Sequence, residues 1–372
     1  MSTLEHPETP FLALDPHRVD TNVRRLRRHL DRLGVTLRPH VKTAKSLEVA
    51  ALVDGGARGP ITVSTLAEAE AFAGAGYRDI LYAVGIAPQK LGRVRALRER
   101  GVDLVVLLDS VEQASAAGAA GVPALIEVDC DGHRGGVPAD DPALVDIARA
   151  LEHRGGEVRG VLTHAGESYF ADGDEQLRAA AQHERAVAVE AAQALRAAGL
   201  ATPVVSVGST PTAHFATDLT GVSEVRAGNF VFFDLVMAGI GVCTHADLAL
   251  SVVVTVIGHR PDKGWIMTDG GWMATSRDRG TGRQRVDQAY GLVCDLDGTP
   301  YDDLLMADAS QEHGMLALRP GSTAKLPDLP VGARVRILPI HACATAAQHD
   351  RYHVLDPGSR GLTAEWSRVR GW

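Results

Sequence analysis

Three stretches of this 372-residue chain carry side chains whose types and spacing could do chemistry. The first is Arg38-Pro39-His40-Val41-Lys42-Thr43-Ala44-Lys45, where a β-branched run ends at Lys42. A lysine at the mouth of a parallel barrel can be desolvated, which lowers its pKa and makes the neutral amine a Schiff-base nucleophile. An ordinary surface lysine is the plainer reading. Lys45 is a second candidate amine, but three residues on it points into the following loop or helix. The second stretch is Val207-Gly208-Ser209-Thr210-Pro211-Thr212, with Arg226-Ala227-Gly228-Asn229 as its companion. Small hydroxyls, backbone N–H groups and glycines that let the backbone approach suit a phosphate, although Gly-Ser-Thr-Pro is also ordinary turn chemistry. The third is His341-Ala342-Cys343. If this segment is extended, residues i and i+2 point to one side and could share a metal. Imidazole with thiolate suits zinc, and two protein ligands leave positions open for water or substrate. A buried histidine beside a buried thiol is the alternative. His313, His349 and His353 are candidate outer-shell partners.

The elements that must position these residues follow from periodicity. Between about residues 18 and 245, short strand-like runs (Val35–Val41, Ile61–Ser64, Ile80–Ala83, Leu104–Leu108, Ala124–Val128, Gly160–Thr163, Val204–Val207, Gly221–Val225) alternate with helical stretches such as Leu66–Ala75 and Glu175–Ala198. Parallel neighbours need crossover connections, so the alternation predicts a parallel sheet. Eight such units point to a (β/α)8 barrel, with a doubly wound open sheet as the alternative. Lys42 then follows the first strand, and the two glycine-bearing segments follow the seventh and eighth, where barrels often bind phosphate. After His245 the texture changes to strand-like runs separated by turns: Ser251–Ile257, Gly264–Thr268, Leu292–Asp295, Ala324–Leu326 and Arg334–Leu338. This predicts a second, mostly antiparallel β domain. The expected division is residues 1–17 as a strand joining the β domain, 18–245 as the barrel and 246–372 as the β domain.

Composition narrows the function classes. Lys and Arg number 38 against 46 Asp and Glu, a net charge of −8, with no basic excess for nucleic acid. Four cysteines in a chain this long exclude a disulfide scaffold and favour reduced thiols. The N-terminus lacks the order of a signal peptide, and the apolar stretches fall short of the ~20 residues that span a bilayer. A cytoplasmic enzyme is expected, with no nucleic-acid or membrane partner. The run Arg24, Arg25, Arg27, Arg28, Arg32 reads as a solvated helix face.

Several separated motifs, taken in order, resemble one family. They are Thr9-Pro10 with Leu14-Asp15, Arg38-Pro39-His40-Val41-Lys42-Thr43, His164-Ala165-Gly166-Glu167-Ser168-Tyr169, Gly208-Ser209-Thr210-Pro211-Thr212, Gly228-Asn229, Glu312-His313-Gly314 and His341-Ala342-Cys343. Together they resemble the D-serine dehydratase and D-threonine aldolase group of pyridoxal-phosphate enzymes, relatives of alanine racemase. The resemblance implies an N-terminal barrel, a C-terminal β domain and a homodimer with active sites near the subunit interface. It implies that Lys42 is the Schiff-base lysine, that Ser209, Thr210, Gly228 and Asn229 form the phosphate cup, and that Arg134 lies near the cofactor's phenolic oxygen. His164, in the third motif, also falls among the cofactor-binding residues. Either Tyr169 or Arg226 faces the pyridine nitrogen. His341 and Cys343 would bind a divalent metal, zinc by ligand type. Aldolases of the group commonly read His-x-Asp and dehydratases His-x-Cys, so the resemblance favours dehydration of a D-3-hydroxy amino acid. Retro-aldol cleavage to glycine and an aldehyde is the close alternative, and a non-catalytic pyridoxal-phosphate protein a distant one. Two positions depart from the dehydratases: Ile340 stands where Asn is usual, and Phe230 where Tyr is common.

Overall fold

A computed structural model describes residues 2–372. It contains two compact units, one formed by Arg24–Phe230 with Val369–Trp372 and the other by residues up to Val23 with Val231–Arg368. In chain order come β1 (Ser2–Thr3), β2 (Phe11–Leu14) and α1 (Pro16–Arg32). The first unit then runs β3 (Thr36–Pro39), α2 (Leu47–Asp54), β4 (Ile61–Val63), α3 (Leu66–Gly74), β5 (Asp79–Gly85), α4 (Leu91–Glu99), β6 (Asp103–Leu108) and α5 (Val111–Ala119). It continues with β7 (Ala124–Val128), α6 (Ala143–His153), β8 (Val158–Thr163), α7 (Asp174–Ala197), β9 (Val204–Val207), α8 (Thr210–Phe215) and β10 (Glu224–Ala227).

These eight strands form one parallel sheet in the order β3-β10-β9-β8-β7-β6-β5-β4. A parallel bridge between His40 and Thr62 joins the end of β3 to β4 and closes the ring. The expected (β/α)8 barrel is therefore present. Helix starts are chemically marked: the Thr65 hydroxyl accepts from the Glu68 N–H at the head of α3, and Ser110 accepts from Gln113 at the head of α5. Inside the barrel, Leu81, Leu107, Leu125 and Leu162 pack together, with Ala83, Val105 and Val204 against them. The period of two that places Val204 there also places Ser206 inward, and the registers Glu224–Ser206 and Arg226–Arg38 carry the same face across β10 and β3. One side of the barrel interior is thus apolar, and the other, on β3, β9 and β10, is polar.

The second unit adds α9 (Leu235–Gly239), β11 (Leu250–Arg260), β12 (Trp265–Thr268), α10 (Trp272–Thr275), β13 (Leu292–Cys294), β14 (Pro300–Ala309) and β15 (Gly314–Leu318). It ends with β16 (Arg334–Leu338), α11 (Ala342–Ala347), β17 (Arg351–Leu355) and β18 (Gly361–Ser367). The strand order is β1-β18-β17-β2-β11-β12-β15-β14-β13-β16, and β16 pairs back onto β11, so that six strands close on themselves. All pairings are antiparallel except β17 with β2. β11 serves three neighbours by pairing β2 and β16 with its first half and β12 with its second, across a bulge between Val256 and Gly258.

Three local expectations need correcting. Ala324–Leu326 is not a strand; prolines at 327 and 330 remove the N–H donors a ladder would need nearby. The eighth barrel strand begins at Glu224, because the Val222 N–H bonds the Leu219 carbonyl in a turn through the glycine at 221. β14, β15, β17 and β18 escaped the period-two reading. β14, for example, interleaves Asp302, Asp303 and Asp308 with its apolar residues and shifts register at a bulge.

The barrel's apolar half makes a direct prediction. Leu125→Ala should cost about 2–5 kcal/mol, seen as a lower urea midpoint, whereas an unchanged midpoint would mean that Leu125 is not packed in the barrel interior.

Candidate active site

The ends of β3 and of β7–β10 supply the side chains at the barrel mouth. Lys42 follows β3, and its own N–H lies 3.4 Å from the His40 Nδ1. The rival amine is occupied: Lys45 Nζ lies 2.9 Å from Glu68 Oε1, a buried carboxylate that also accepts from Ser64 and Thr65. That ion pair holds Lys45 on the α3 side, in a backbone conformation with φ of 48°. Lys42 shares its surroundings with His40, Arg226, His164 and Arg134. Burial pulls the His40 imidazole well below its ordinary 6.5, and Lys42, Arg226, His164 and Arg134 push the same way. His164 is also driven well below 6.5, by burial first and then by Arg134 and Lys42. Its Nδ1 donates to the Gly208 carbonyl at 3.0 Å, leaving Nε2 as an acceptor in the neutral ring. Two imidazoles held below their ordinary range therefore sit among Lys42, Arg134 and Arg226.

The loops after β8, β9 and β10 are tied to one another. Glu184, on α7, accepts from the Ala165 N–H at 2.9 Å and from the Gly208 N–H at 3.0 Å. Burial pushes this carboxyl upward in pKa, against its bonds to Thr212 and to the two backbone donors. Ser168 and Ser209 share a hydrogen bond of 2.9 Å, and Ser209 forms a reciprocal capping box with Thr212 at the start of α8. The Thr210 hydroxyl accepts from the Phe230 N–H at 3.3 Å, linking the β9 and β10 loops. Gly208, with φ of +136°, would bring a Cβ to 2.0 Å from the Arg226 carbonyl, and at Gly228 a Cβ would meet the His40 carbonyl at 2.9 Å and Thr43 Oγ1 at 3.1 Å. The structure thus gathers Ser209, Thr210, Gly228 and Asn229 on adjoining loops. Arg134 lies 3.3 Å from Glu127 Oε1, whose carboxyl is raised in pKa by its burial. Tyr169 lies in a 3-10 turn with its ring 6.2 Å from the His164 ring. Arg226 is buried and points into the polar half of the barrel, where burial lowers its pKa to about 10. A cation-rich mouth beside loops that carry small hydroxyls, and glycines that let the backbones of β9, β10 and β3 approach closely, suits an anionic, aldehyde-bearing cofactor such as pyridoxal phosphate. These residues fit it.

The second unit carries the metal candidates. The premise of an extended His-x-Cys needs correcting: His341 is the extended N-cap of α11, and Cys343 lies in that helix's first turn. The cap brings the two side chains together in a different way, and the thiol hydrogen-bonds the imidazole. Burial pulls the His341 pKa down, but Cys343 and Asp278 together hold it well above 6.5. Its Nδ1 lies 2.6 Å from Asp278 Oδ2, the carboxylate–histidine pairing usual behind a metal-bound imidazole. Of the histidines expected as outer partners, His349 bonds the Ala274 carbonyl, and His353 lies 3.4 Å from Glu365 and against the Phe11 ring. Among the described residues no three His, Cys, Asp or Glu side chains are spaced to hold a metal. An imidazole and a thiolate fit a divalent ion whose remaining positions are filled by water or substrate.

Sequence reasoning missed His40, Glu184 and Asp278. His40 was findable, since it lies two residues before Lys42 on the same strand end. Glu184 and Asp278 act from distant segments and leave no local pattern.

With this geometry in view, comparison with known proteins places the chain in a family. Residues 14–236 match the family model "Alanine racemase, N-terminal domain", and residues 249–355 match "Putative serine dehydratase domain". The chain belongs to the alanine-racemase-like family whose barrel is joined to a serine dehydratase domain. It is 52% identical to D-threo-3-hydroxyaspartate dehydratase of Delftia sp. (strain HT23), over 100% of this chain and 99% of that one. It is 28% identical to D-serine dehydratase of Dictyostelium discoideum, over 94% and 93%. A solved structure of a D-threo-3-hydroxyaspartate dehydratase variant with one cysteine replaced by alanine, in its metal-free form, superposes with a TM-score of 0.96, at 51% identity and full coverage of both chains.

The depressed imidazoles give a pH prediction. In the unfolded chain His40 and His164 take up protons near pH 6.5, but in the folded barrel they do not. Their contribution is therefore present above about pH 6.5 and lost as the pH falls below it. In cofactor-free protein, the stability of wild type relative to a His40→Asn/His164→Asn variant should decline between about pH 7.5 and pH 5; a constant difference in urea midpoint would contradict the assignment.

Proposed function

We propose that this chain eliminates water and then ammonia from a D-3-hydroxyaspartate, leaving a 2-oxo acid. It is a pyridoxal-phosphate-dependent lyase acting on a D-3-hydroxy amino acid. The observation that carries the reading is the placement of Lys42 just after β3, with its N–H 3.4 Å from the His40 Nδ1 and the Gly228 loop packed against His40 and Thr43, whereas Lys45 pairs with Glu68 on the α3 side. The choice of a 3-carboxylated substrate over D-serine rests on the 52% relative, set against 28% for the D-serine enzyme.

When bound, pyridoxal phosphate supplies an electron sink for negative charge at the substrate's Cα. Lys42 would hold the cofactor and, once displaced by the substrate amine, accept the Cα proton at Nζ. Ser209, Thr210, Gly228 and Asn229 would take the phosphate, and Arg134 the phenolic oxygen. The neutral His164 would lie beside the ring. Of the two candidates for the ring nitrogen, we choose Arg226, because it is buried and aligned along the inward face of β10, whereas Tyr169 is partly exposed in a loop turn. Hydroxide is a poor leaving group, and a divalent metal, for which His341 and Cys343 are the candidate ligands, would supply the Lewis acid that such a departure needs. The thiolate favours zinc, and a structure of a 51%-identical relative described as its metal-free form is consistent with a metal in that enzyme. The family resemblance supports a homodimer, and the four cysteines, read as reduced thiols, support a cytoplasmic setting. No helix among the described residues is long and apolar enough to cross a membrane.

Incubation with D-threo-3-hydroxyaspartate, D-serine and D-threonine should yield 2-oxo acid and ammonia in equal amounts, fastest with the first. Glycine as the main product would overturn elimination in favour of retro-aldol cleavage, and bound cofactor with no turnover of any of the three would overturn catalysis. Lys42→Ala should remove the visible band of the bound cofactor and lower kcat by at least about 10²–10⁴-fold, while Lys45→Ala should keep the band. Chelation should stop turnover and added zinc should restore it, with His341→Ala unresponsive to the added metal; full activity after verified metal removal would contradict the metal's role.

A further inference from the structure

Parallel barrels of this kind are usually filled by layers of branched apolar side chains. On β3, β9 and β10 this barrel carries instead a continuous chain of polar groups. Arg226 Nη1 donates to the Ser206 hydroxyl at 2.6 Å, and that hydroxyl donates to Glu224 Oε1 at 2.5 Å. The other Glu224 oxygen accepts from Arg38 Nε at 2.7 Å. Arg38 then forks onto both oxygens of Asp79, at 2.7 and 3.2 Å. Charge alternates along this line, from the guanidinium at the mouth through a hydroxyl to a carboxylate, a second guanidinium and a second carboxylate.

The Arg226 end is the informative one. Its bonds to Ser206 and to the Thr163 carbonyl, at 2.6 Å, are both to neutral oxygens. The carboxylate that most favours its charge is Glu224, which reaches it only through Ser206. A buried cation is costly unless a countercharge is close, and a countercharge in direct contact would compete with a ligand for the same N–H groups. One held at a single remove offsets the charge and leaves the guanidinium's far edge to something else. Bracing the barrel does not require this arrangement, since the ion pairs of Arg38 with Glu224 and Asp79 already join β3, β5 and β10 without Ser206.

We propose that Glu224, acting through the Ser206 hydroxyl, is a positioning residue that aims the Arg226 guanidinium at the ring of the bound cofactor and holds its charge there. The inference rests on the reading above that Arg226 faces the cofactor ring, and the variants separate the two.

The test uses the holoenzyme and reads the wavelength of the bound cofactor's visible band together with the cofactor's dissociation constant. Ser206→Ala breaks the link but leaves the Arg38–Glu224–Asp79 pairs in place. It should move the band and weaken cofactor binding by about tenfold, as expected for loss of a hydrogen bond to a charged group. Ser206→Thr, which keeps a hydroxyl, should restore the wild-type band. Glu224→Gln, which keeps the acceptor and removes the charge, should move the band as Ser206→Ala does, and it carries the test if Ser206→Ala fails to fold. A wild-type band and affinity in the folded alanine variant would overturn the proposal. If Arg226→Lys moves the band and neither Ser206→Ala nor Glu224→Gln does, only the role of Glu224 fails. If Arg226→Lys leaves the band unchanged, the placement of Arg226 at the ring fails as well.

Discussion

The barrel mouth is built around a problem of charge. Lys42, Arg134 and Arg226 are brought together with two imidazoles, and such a collection would repel itself if every group were protonated. Burial and mutual repulsion settle the matter by keeping His40 and His164 neutral. The remaining positive charge is offset from beneath by Glu224 through Ser206 and from the side by Glu127, which meets Arg134. What is left is a cluster of positive charge of the kind that an anionic ligand would offset. Electrostatic preorganisation, in a site that excludes water, is commonly the largest single contribution to catalysis.

The scaffold explains why the pocket can be held so closely. Its residues stand at the ends of parallel strands, and the loops that carry them are fastened by buried groups such as Glu184, which accepts from two loops at once. The second unit uses another device. His341 caps a short helix, so that the change from extended to helical backbone turns Cys343 toward the imidazole. Asp278 arrives from a separate segment to orient the ring. In both units a local backbone feature sets the functional residue and a distant carboxylate fixes its pose.

This division also explains what was legible in the chain. Strand–helix alternation gave away the barrel because each parallel crossover needs a helix, and Ala124–Val128 and Val204–Val207 were placed to the residue. The position of the candidate residues was legible for the same reason: Lys42, Ser209 and Gly228 follow strands. The antiparallel unit was harder to read, because strands such as β14 are interrupted by bulges and carry acidic residues on the exposed face. That Lys45 points away from the mouth was legible, but its partner Glu68 and the carboxylates at 184, 224 and 278 were not, since each meets its partner only through the packing of separate segments. The inward polar line of Arg38, Ser206, Glu224 and Arg226 is of the same kind. Each residue alone looks like a polar interruption in a strand, and only the register of three neighbouring strands joins them.

The central claim is that one amine at the end of β3 carries the cofactor. Borohydride reduction of the cofactor-loaded protein, followed by proteolysis and mass spectrometry, tests it directly. The account predicts the added mass of the reduced cofactor on Lys42 and on no other residue. Its appearance on Lys45, or on a lysine outside the barrel mouth, would contradict it.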